Sequence, residues 1–153
     1  MSTTLQHVYR VYIRTTPERL WQAITDGDLT KLYFFGGAVQ SDWRAGSVMR
    51  YASEDGQSLL EGEIFEVDPP RKLVHSFIHH WEGESKDPPS RVTYEIEPHG
   101  ETCLLTLTHE HFAGETELAK STQRGWSLIL SSMKSLLETG QPLALTDAVA
   151  ATA

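Results

Sequence analysis

The stretch GETELAKSTQRGWSLILSSMKSLLETG, residues 114–140, carries a regular pattern about six helical turns long. Its apolar residues recur at steps of three and four, which is typical of one face of an α-helix. That face comprises Leu118, Thr122, Trp126, Ile129, Met133, Leu136 and Leu137. Gly140 suits the left-handed position after a helix and Pro142 cannot continue one. We therefore predict one long C-terminal helix near residues 115–139.

The chain before this helix has mainly the two-residue period of β-strands. Residues 5–14 alternate, so His7, Tyr9 and Val11 share one face of a half-buried first strand. Two short helices should follow, the first capped by Thr16 and the second running from Leu29 to about Phe34. Turn-forming residues then separate six more predicted strands, which are Ala38–Ser41, Ser47–Ala52, Leu59–Val67, Lys72–His80, Arg91–Glu97 and Thr102–His111.

The last two strands are predicted to form a hairpin with one apolar face. If Glu97 pairs with Thr102, Tyr94 lies opposite Leu105. The shared face would carry Val92, Tyr94, Ile96, Cys103, Leu105, Leu107 and His109, and threonines and glutamates would point to the other side.

These elements predict one α+β domain over residues 1–143. The long helix has one large apolar surface to bury against, which is the concave face of a curved, seven-stranded antiparallel sheet. Residues 144–153 are small and weakly patterned, and we interpret them as a flexible C-terminal tail.

Several short motifs, in this order, resemble one known family. They are Thr16–Trp21, Ile24–Asp26, Asp42–Gly46, Gly62–Pro70, Leu73-Val74, Leu105–His109, Gly125-Trp126 and Leu136–Gly140. Together they span roughly residues 7–141 and are similar to the homologues of the activator of heat-shock-protein-90 ATPase, within the START/SRPBCC superfamily. The resemblance implies a helix-grip fold. Its implication for function is broad, because the superfamily includes lipid carriers, hormone receptors, cyclases and co-chaperones.

Charge and composition narrow the classes of partner. The net charge of −8 and the lack of a basic run argue against nucleic-acid and anionic-lipid binding. No apolar stretch approaches the roughly 20 residues that span a bilayer, and the first residues lack the pattern of a signal peptide. The single cysteine, Cys103, favours a reducing, cytoplasmic setting. We therefore expect a cytoplasmic protein that binds neither nucleic acid nor membrane.

The space between the sheet and the long helix is the candidate ligand site. Apolar walls with a few polar groups are typical of small-molecule sites. The predicted lining residues are His75, Phe77, Tyr94, Leu105, Leu107, His109, Trp126, Ile129 and Met133. The alternative is that the same side chains pack a closed core.

Neither a metal site nor a catalytic site is predicted, and no cofactor is expected. His75 and His109 lie on strands with one strand between them, roughly 10 Å apart, which is too far for one zinc ion. An acid/base role for His75, His109 or Tyr94 would require two polar groups that converge on one point.

Three functions therefore stay open. The first is binding of a small hydrophobic or aromatic molecule in the cavity. The second is a co-chaperone-like interaction module or stress-response protein, and the third, less favoured, is a cyclase- or hydrolase-type enzyme. Self-association into a homodimer, through a sheet edge or the long helix, is also left open.

Overall fold

The computed structural model describes residues 6–79, 88–111 and 117–143, without the side chains at positions 79, 117 and 118. The elements are β1 (Gln6–Ile13), α1 (Pro17–Thr25), α2 (Gly27–Tyr33), β2 (Ala38–Ser41), β3 (Val48–Ala52), β4 (Ser58–Asp68), β5 (Lys72–His79), β6 (Ser90–His99), β7 (Thr102–Glu110) and α3 (Glu117–Thr139). The predicted fold class and order of elements are confirmed. The predicted tail at 144–153 lies outside the described residues.

The seven strands form one antiparallel sheet in the order β1-β7-β6-β5-β4-β3-β2. Strands β2 to β7 pair with their neighbours in the chain. Strand β1 instead pairs with the last strand, from Gln6 opposite Glu110 to Ile13 opposite Cys103. As predicted, β6 separates the histidine-bearing strands β5 and β7.

The register of the β6–β7 hairpin differs from the predicted one by two residues. Glu97 pairs with Leu104, and Tyr94 pairs with Leu107. The strands continue further toward the turn, so that His99 pairs with Thr102 and only two residues remain in the loop. Gly100 adopts a φ of 60° there, which glycine tolerates. A shift of two keeps every side chain on its predicted face.

The two short helices are consecutive and share a capping residue. Thr16 caps α1 by accepting a hydrogen bond from the Arg19 N–H, as the sequence predicts. Asp26 ends α1 and caps α2, because its carboxylate accepts from the Asp28 N–H at 2.9 Å. Helix α2 therefore begins at Gly27, two residues before its predicted start at Leu29.

Helix α3 buries its apolar face against the concave side of the sheet. Trp126, Ile129, Leu130, Met133 and Leu137 are all buried in a single core with the inner residues of the strands. The carboxylate of Glu138 fastens the C-terminal end of the helix, because it accepts from the Arg14 N–H and from Lys134. The core thus lies where the sequence places the candidate site.

Candidate functional site

The nine residues predicted to line the site are all buried between α3 and the sheet. Each is no more than 4% exposed. Trp126 lies at their centre, with its ring centroid 6.1 Å from that of His109 and 6.3 Å from those of Phe77 and Tyr94. Burial of these side chains fits both a ligand site and a closed core. The hydrogen bonds of their polar atoms therefore distinguish the two better than their exposure does.

A buried chain of hydrogen bonds connects α3 to three strands through His109. The Trp126 Nε1–H donates to His109 Nδ1 at 3.0 Å. Because the indole N–H can only donate, Nδ1 carries no proton, and the neutral imidazole has its hydrogen on Nε2. Nε2 lies 2.7 Å from the Ser90 hydroxyl oxygen, which accepts this hydrogen, and Ser90 in turn donates to the Phe77 carbonyl.

His109 is held neutral by its surroundings. Burial lowers its pKa to about 3, and the nearby His75 and His7 lower it to a smaller degree. Protonation would place a hydrogen on Nδ1, where the Trp126 indole already donates. His109 is therefore a structural connection between helix and sheet, with both ring nitrogens in use.

His75 has the opposite arrangement of its ring nitrogens. Its Nδ1 lies 2.7 Å from the Ser76 carbonyl oxygen, which can only accept. The hydrogen is therefore on Nδ1, and Nε2 presents a lone pair. Nε2 is buried and has no hydrogen-bond partner among the described residues. Burial lowers the pKa of His75 to about 4, against the opposing effect of the Ser76 carbonyl, so this acceptor persists at neutral pH.

Gly62 on β4 allows the Ser76 carbonyl to take this position. A Cβ atom at residue 62 would lie 2.0 Å from that oxygen, closer than any side chain tolerates. The Ser76 hydroxyl also accepts a hydrogen bond from the Glu63 N–H at 2.8 Å. Sequence analysis missed Gly62, Ser76 and Ser90. A glycine inside a strand pattern was the one available signal, because it often marks a close backbone approach.

An aromatic cluster from α2 and β3 extends this interior. Phe34 stacks on Tyr51 at 4.2 Å and meets the edge of Trp126 at 5.9 Å. Tyr33 donates a hydrogen bond to the Ala23 carbonyl at 2.7 Å, and the hydroxyls of Tyr94 and Tyr51 interact with each other. Burial raises the pKa of all three tyrosines, so they stay neutral. Sequence analysis did not place Tyr33, Phe34 or Tyr51 at the site.

The interior is uncharged within the described ranges. No Asp, Glu, Lys or Arg side chain is buried there, and the buried titratable groups named above are neutral at pH 7. The Cys103 thiol donates to the Thr15 carbonyl, and burial raises its pKa. The cysteine is therefore a core residue rather than a reactive thiolate.

Comparison with known proteins identifies the family. The sequence profile of the Activator of Hsp90 ATPase homolog 1-like proteins matches residues 14–138. The chain belongs to this family. Proteins with different functions share this fold, so membership of the family does not by itself identify a ligand or a partner.

Solved structures with the same fold resemble the chain at low sequence identity. Protein MLL2253 from Mesorhizobium loti is 21% identical, with a TM-score of 0.74 over 87% of this chain and 96% of that one. The Aha1 dimer from Colwellia psychrerythraea is 18% identical, with a TM-score of 0.71 over 89% and 98%. PFC0360w, an HSP90 activator from Plasmodium falciparum, is 21% identical, with a TM-score of 0.72 over 86% and 95%. A search of curated proteins gave no significant match.

The same geometry bears on metal binding and on acid/base catalysis. Residues 6–78, 88–111 and 119–143 include no group of three His, Cys, Asp or Glu side chains placed to hold a metal ion. Of the two buried imidazoles in these ranges, His75 has a ring nitrogen without a hydrogen-bond partner, whereas both nitrogens of His109 are bonded. In the same part of the chain, no helix combines the length and apolar character needed to cross a membrane.

Proposed function

We propose that this protein binds a small hydrophobic or aromatic molecule between α3 and the concave face of the sheet. One observation carries the proposal: among the described residues, the buried Nε2 of His75 has no hydrogen-bond partner, and the aromatic interior around it holds no charged side chain. An unsatisfied buried polar atom costs about 1–3 kcal/mol, and natural proteins keep few of them. A bound molecule that reaches this atom would remove that cost.

The surroundings of His75 support an apolar ligand. Tyr94 lies 6.0 Å from the imidazole between ring centroids, and the cross-strand neighbours Ile64 and Val92 are fully buried. Walls of aromatic and aliphatic side chains around a few polar groups are typical of small-molecule sites. Membership of a family with a long helix over a curved sheet supports the same location.

Space-filling variants of α3 test this proposal. Ile129→Phe adds volume at the interface between helix and sheet, and Ser131→Phe adds the same side chain at an exposed position of the same helix. A panel of naphthalene derivatives should raise the melting temperature of the wild type and of Ser131→Phe, and should leave that of Ile129→Phe unchanged. If no apolar molecule stabilises the wild type or shifts the NMR signals of its core, the proposal is wrong.

A second candidate is a co-chaperone-like interaction module. It is favoured by the family match and by the similarity to the Plasmodium HSP90 activator. Addition of the protein to the Hsp90-type chaperone of its source organism should then raise the ATPase rate, with stoichiometric binding in calorimetry. An unchanged rate and no heat of binding would eliminate this candidate.

We also propose that the protein forms a homodimer and that it is cytoplasmic. The Aha1 dimer from Colwellia psychrerythraea supports a homodimer by its similarity to this chain. Sedimentation velocity across a concentration series would show a monomer–dimer equilibrium, and cell fractionation would test the location.

A further inference from the structure

We infer that the ligand carries a neutral hydrogen-bond donor, a phenol or an alcohol, which donates to Nε2 of His75. This inference rests on the proposed function and specifies its ligand class. It also implies that a carboxylate of the same shape is rejected. The aromatic walls favour the flat ring of a phenol over a flexible alkyl alcohol.

Residues of β5 and β4 make Nε2 of His75 a hydrogen-bond acceptor. The Ser76 carbonyl holds the imidazole hydrogen on Nδ1, and Gly62 provides the room for that carbonyl. The ring therefore cannot present an N–H to the interior without losing this hydrogen bond. Nε2 is limited to accepting, so its partner must be a donor.

The other polar groups nearby are occupied. The Tyr94 hydroxyl interacts with that of Tyr51, and His109 is hydrogen-bonded to Trp126 and Ser90. A ligand carboxylate would thus face the lone pair of His75 with no buried cation in the described part of the chain to balance it. An ammonium group could donate to Nε2, but its charge would be buried without a counter-ion. A neutral hydroxyl avoids both costs.

Three naphthalenes of nearly equal size separate these alternatives. 2-Naphthol supplies the donor, 2-methylnaphthalene replaces the hydroxyl with a methyl group, and 2-naphthoate supplies an anion. By calorimetry at pH 7.5, we expect 2-naphthol to bind about tenfold more tightly than 2-methylnaphthalene, in line with the worth of a buried hydrogen bond. 2-Naphthoate should bind at least about tenfold more weakly than 2-naphthol.

Two variants assign the preference to His75. In His75→Phe the aromatic wall remains but the acceptor is lost, so the affinities for 2-naphthol and 2-methylnaphthalene should become equal. His99→Phe makes the same change at an exposed histidine and should keep the wild-type preference. If His75→Phe does not fold, the ¹⁵N resonance of His75 Nε2 in the wild type provides the test. It should move on addition of 2-naphthol and stay in place with 2-methylnaphthalene.

The outcomes distinguish this inference from the proposed function. Equal binding of 2-naphthol and 2-methylnaphthalene to the wild type, with an unchanged Nε2 resonance, would overturn the donor inference and leave apolar binding intact. Preferred binding of 2-naphthoate would overturn the inference as well. Failure of all three compounds to bind would contradict both.

Discussion

Gly62 controls the chemistry of His75 from the neighbouring strand. The Ser76 carbonyl can approach the imidazole only because residue 62 has no side chain. A glycine in the middle of a strand usually weakens the strand, because it increases the backbone entropy of the unfolded chain and has no side chain to pack. Here that weakness is offset by the orientation of one buried hydrogen bond.

Replacement of Gly62 by alanine should therefore destabilise the protein. The added methyl group would overlap the Ser76 carbonyl, so β4 and β5 would have to separate, at a cost of about 1–3 kcal/mol. Urea unfolding gives the loss, and the ¹⁵N spectrum of His75 shows whether its hydrogen leaves Nδ1. A variant with wild-type stability and an unchanged His75 spectrum would show that the strand adapts without cost.

Helix α3 contains a glycine at a position where the surrounding structure leaves room for a side chain. Gly125 lies within the helix, and the nearest atom to a Cβ built there is Phe35 Cε2 at 3.9 Å, an ordinary contact. Gly125→Ala should raise the free energy of unfolding by about 0.5–1 kcal/mol, because alanine is the better helix former. Urea unfolding beside Gly62→Ala provides a matched pair of glycine substitutions with opposite expected signs. A loss of stability would show that Phe35 needs the open space.

The C-terminal end of α3 depends on Glu138. Its carboxylate accepts from the Arg14 N–H at 2.8 Å and from Lys134 at 2.7 Å, and Lys134 also donates to the Tyr12 carbonyl. The hydrogen bonds from Lys134 and Arg14 lower the pKa of Glu138. Their contribution to stability is therefore complete above the usual carboxylate pKa and is lost as the pH falls through the lowered pKa of Glu138.

Glu138→Ala should cost about 0.5–1.5 kcal/mol, because it leaves the Arg14 N–H and Lys134 without this partner. Thermal unfolding at pH 7 measures the loss. Glu101→Ala, at the exposed tip of the β6–β7 hairpin, removes the same charge and should leave the melting temperature nearly unchanged. Equal effects of the two substitutions would indicate a response to net charge alone.

For the whole molecule, the neutral histidines predict acid sensitivity. The pKa values of His75 and His109 are lowered to about 4 and about 3, whereas unfolded histidine titrates near 6.5. Between these values the unfolded chain binds more protons than the native one, so stability falls as the pH falls below 6.5. Each histidine should remove about 2 kcal/mol between pH 7 and pH 5.

Replacement of one of these histidines should flatten the pH profile. His75→Phe removes one titrating group, so the loss of stability between pH 7 and pH 5 should be about 2 kcal/mol smaller than in the wild type. His99→Phe makes the same substitution at an exposed site and is the control for the change of side chain. Urea titrations at several pH values give these slopes. Parallel profiles for all three proteins would mean that the buried histidines do not control acid unfolding.

The large-scale architecture was accessible from the sequence because it depends on periodicity. Alternation assigned the apolar face of the β6–β7 hairpin, and the helical stripe placed Trp126 and Met133 against the sheet. The hairpin register was less accessible, since Glu97 opposite Thr102 and Glu97 opposite Leu104 put the same side chains on the same faces. The start of α2 was predicted two residues too late, because Asp26 both ends α1 and caps α2.

The site was predictable as a set of buried residues and not as a hydrogen-bond network. His75 and His109 look alike in the sequence, yet one is fully engaged and the other has an open acceptor. The difference comes from Ser76, Ser90 and Gly62, whose partners depend on cross-strand neighbours. Strand patterns give the face of a side chain but not the rotation of its ring.

The pairing of β1 with β7 has a consequence for synthesis on the ribosome. Strands β3 to β7 can each pair with the strand made just before them, but β1 has to wait until β7 has been made. Contacts so distant in the chain carry a large loop-closure cost and form slowly. Until β7 is available, the apolar face of β1 has no place in the sheet. The apolar face of β1 therefore stays unpaired until both β7 and α3 have been made, and this delay favours aggregation of the nascent chain.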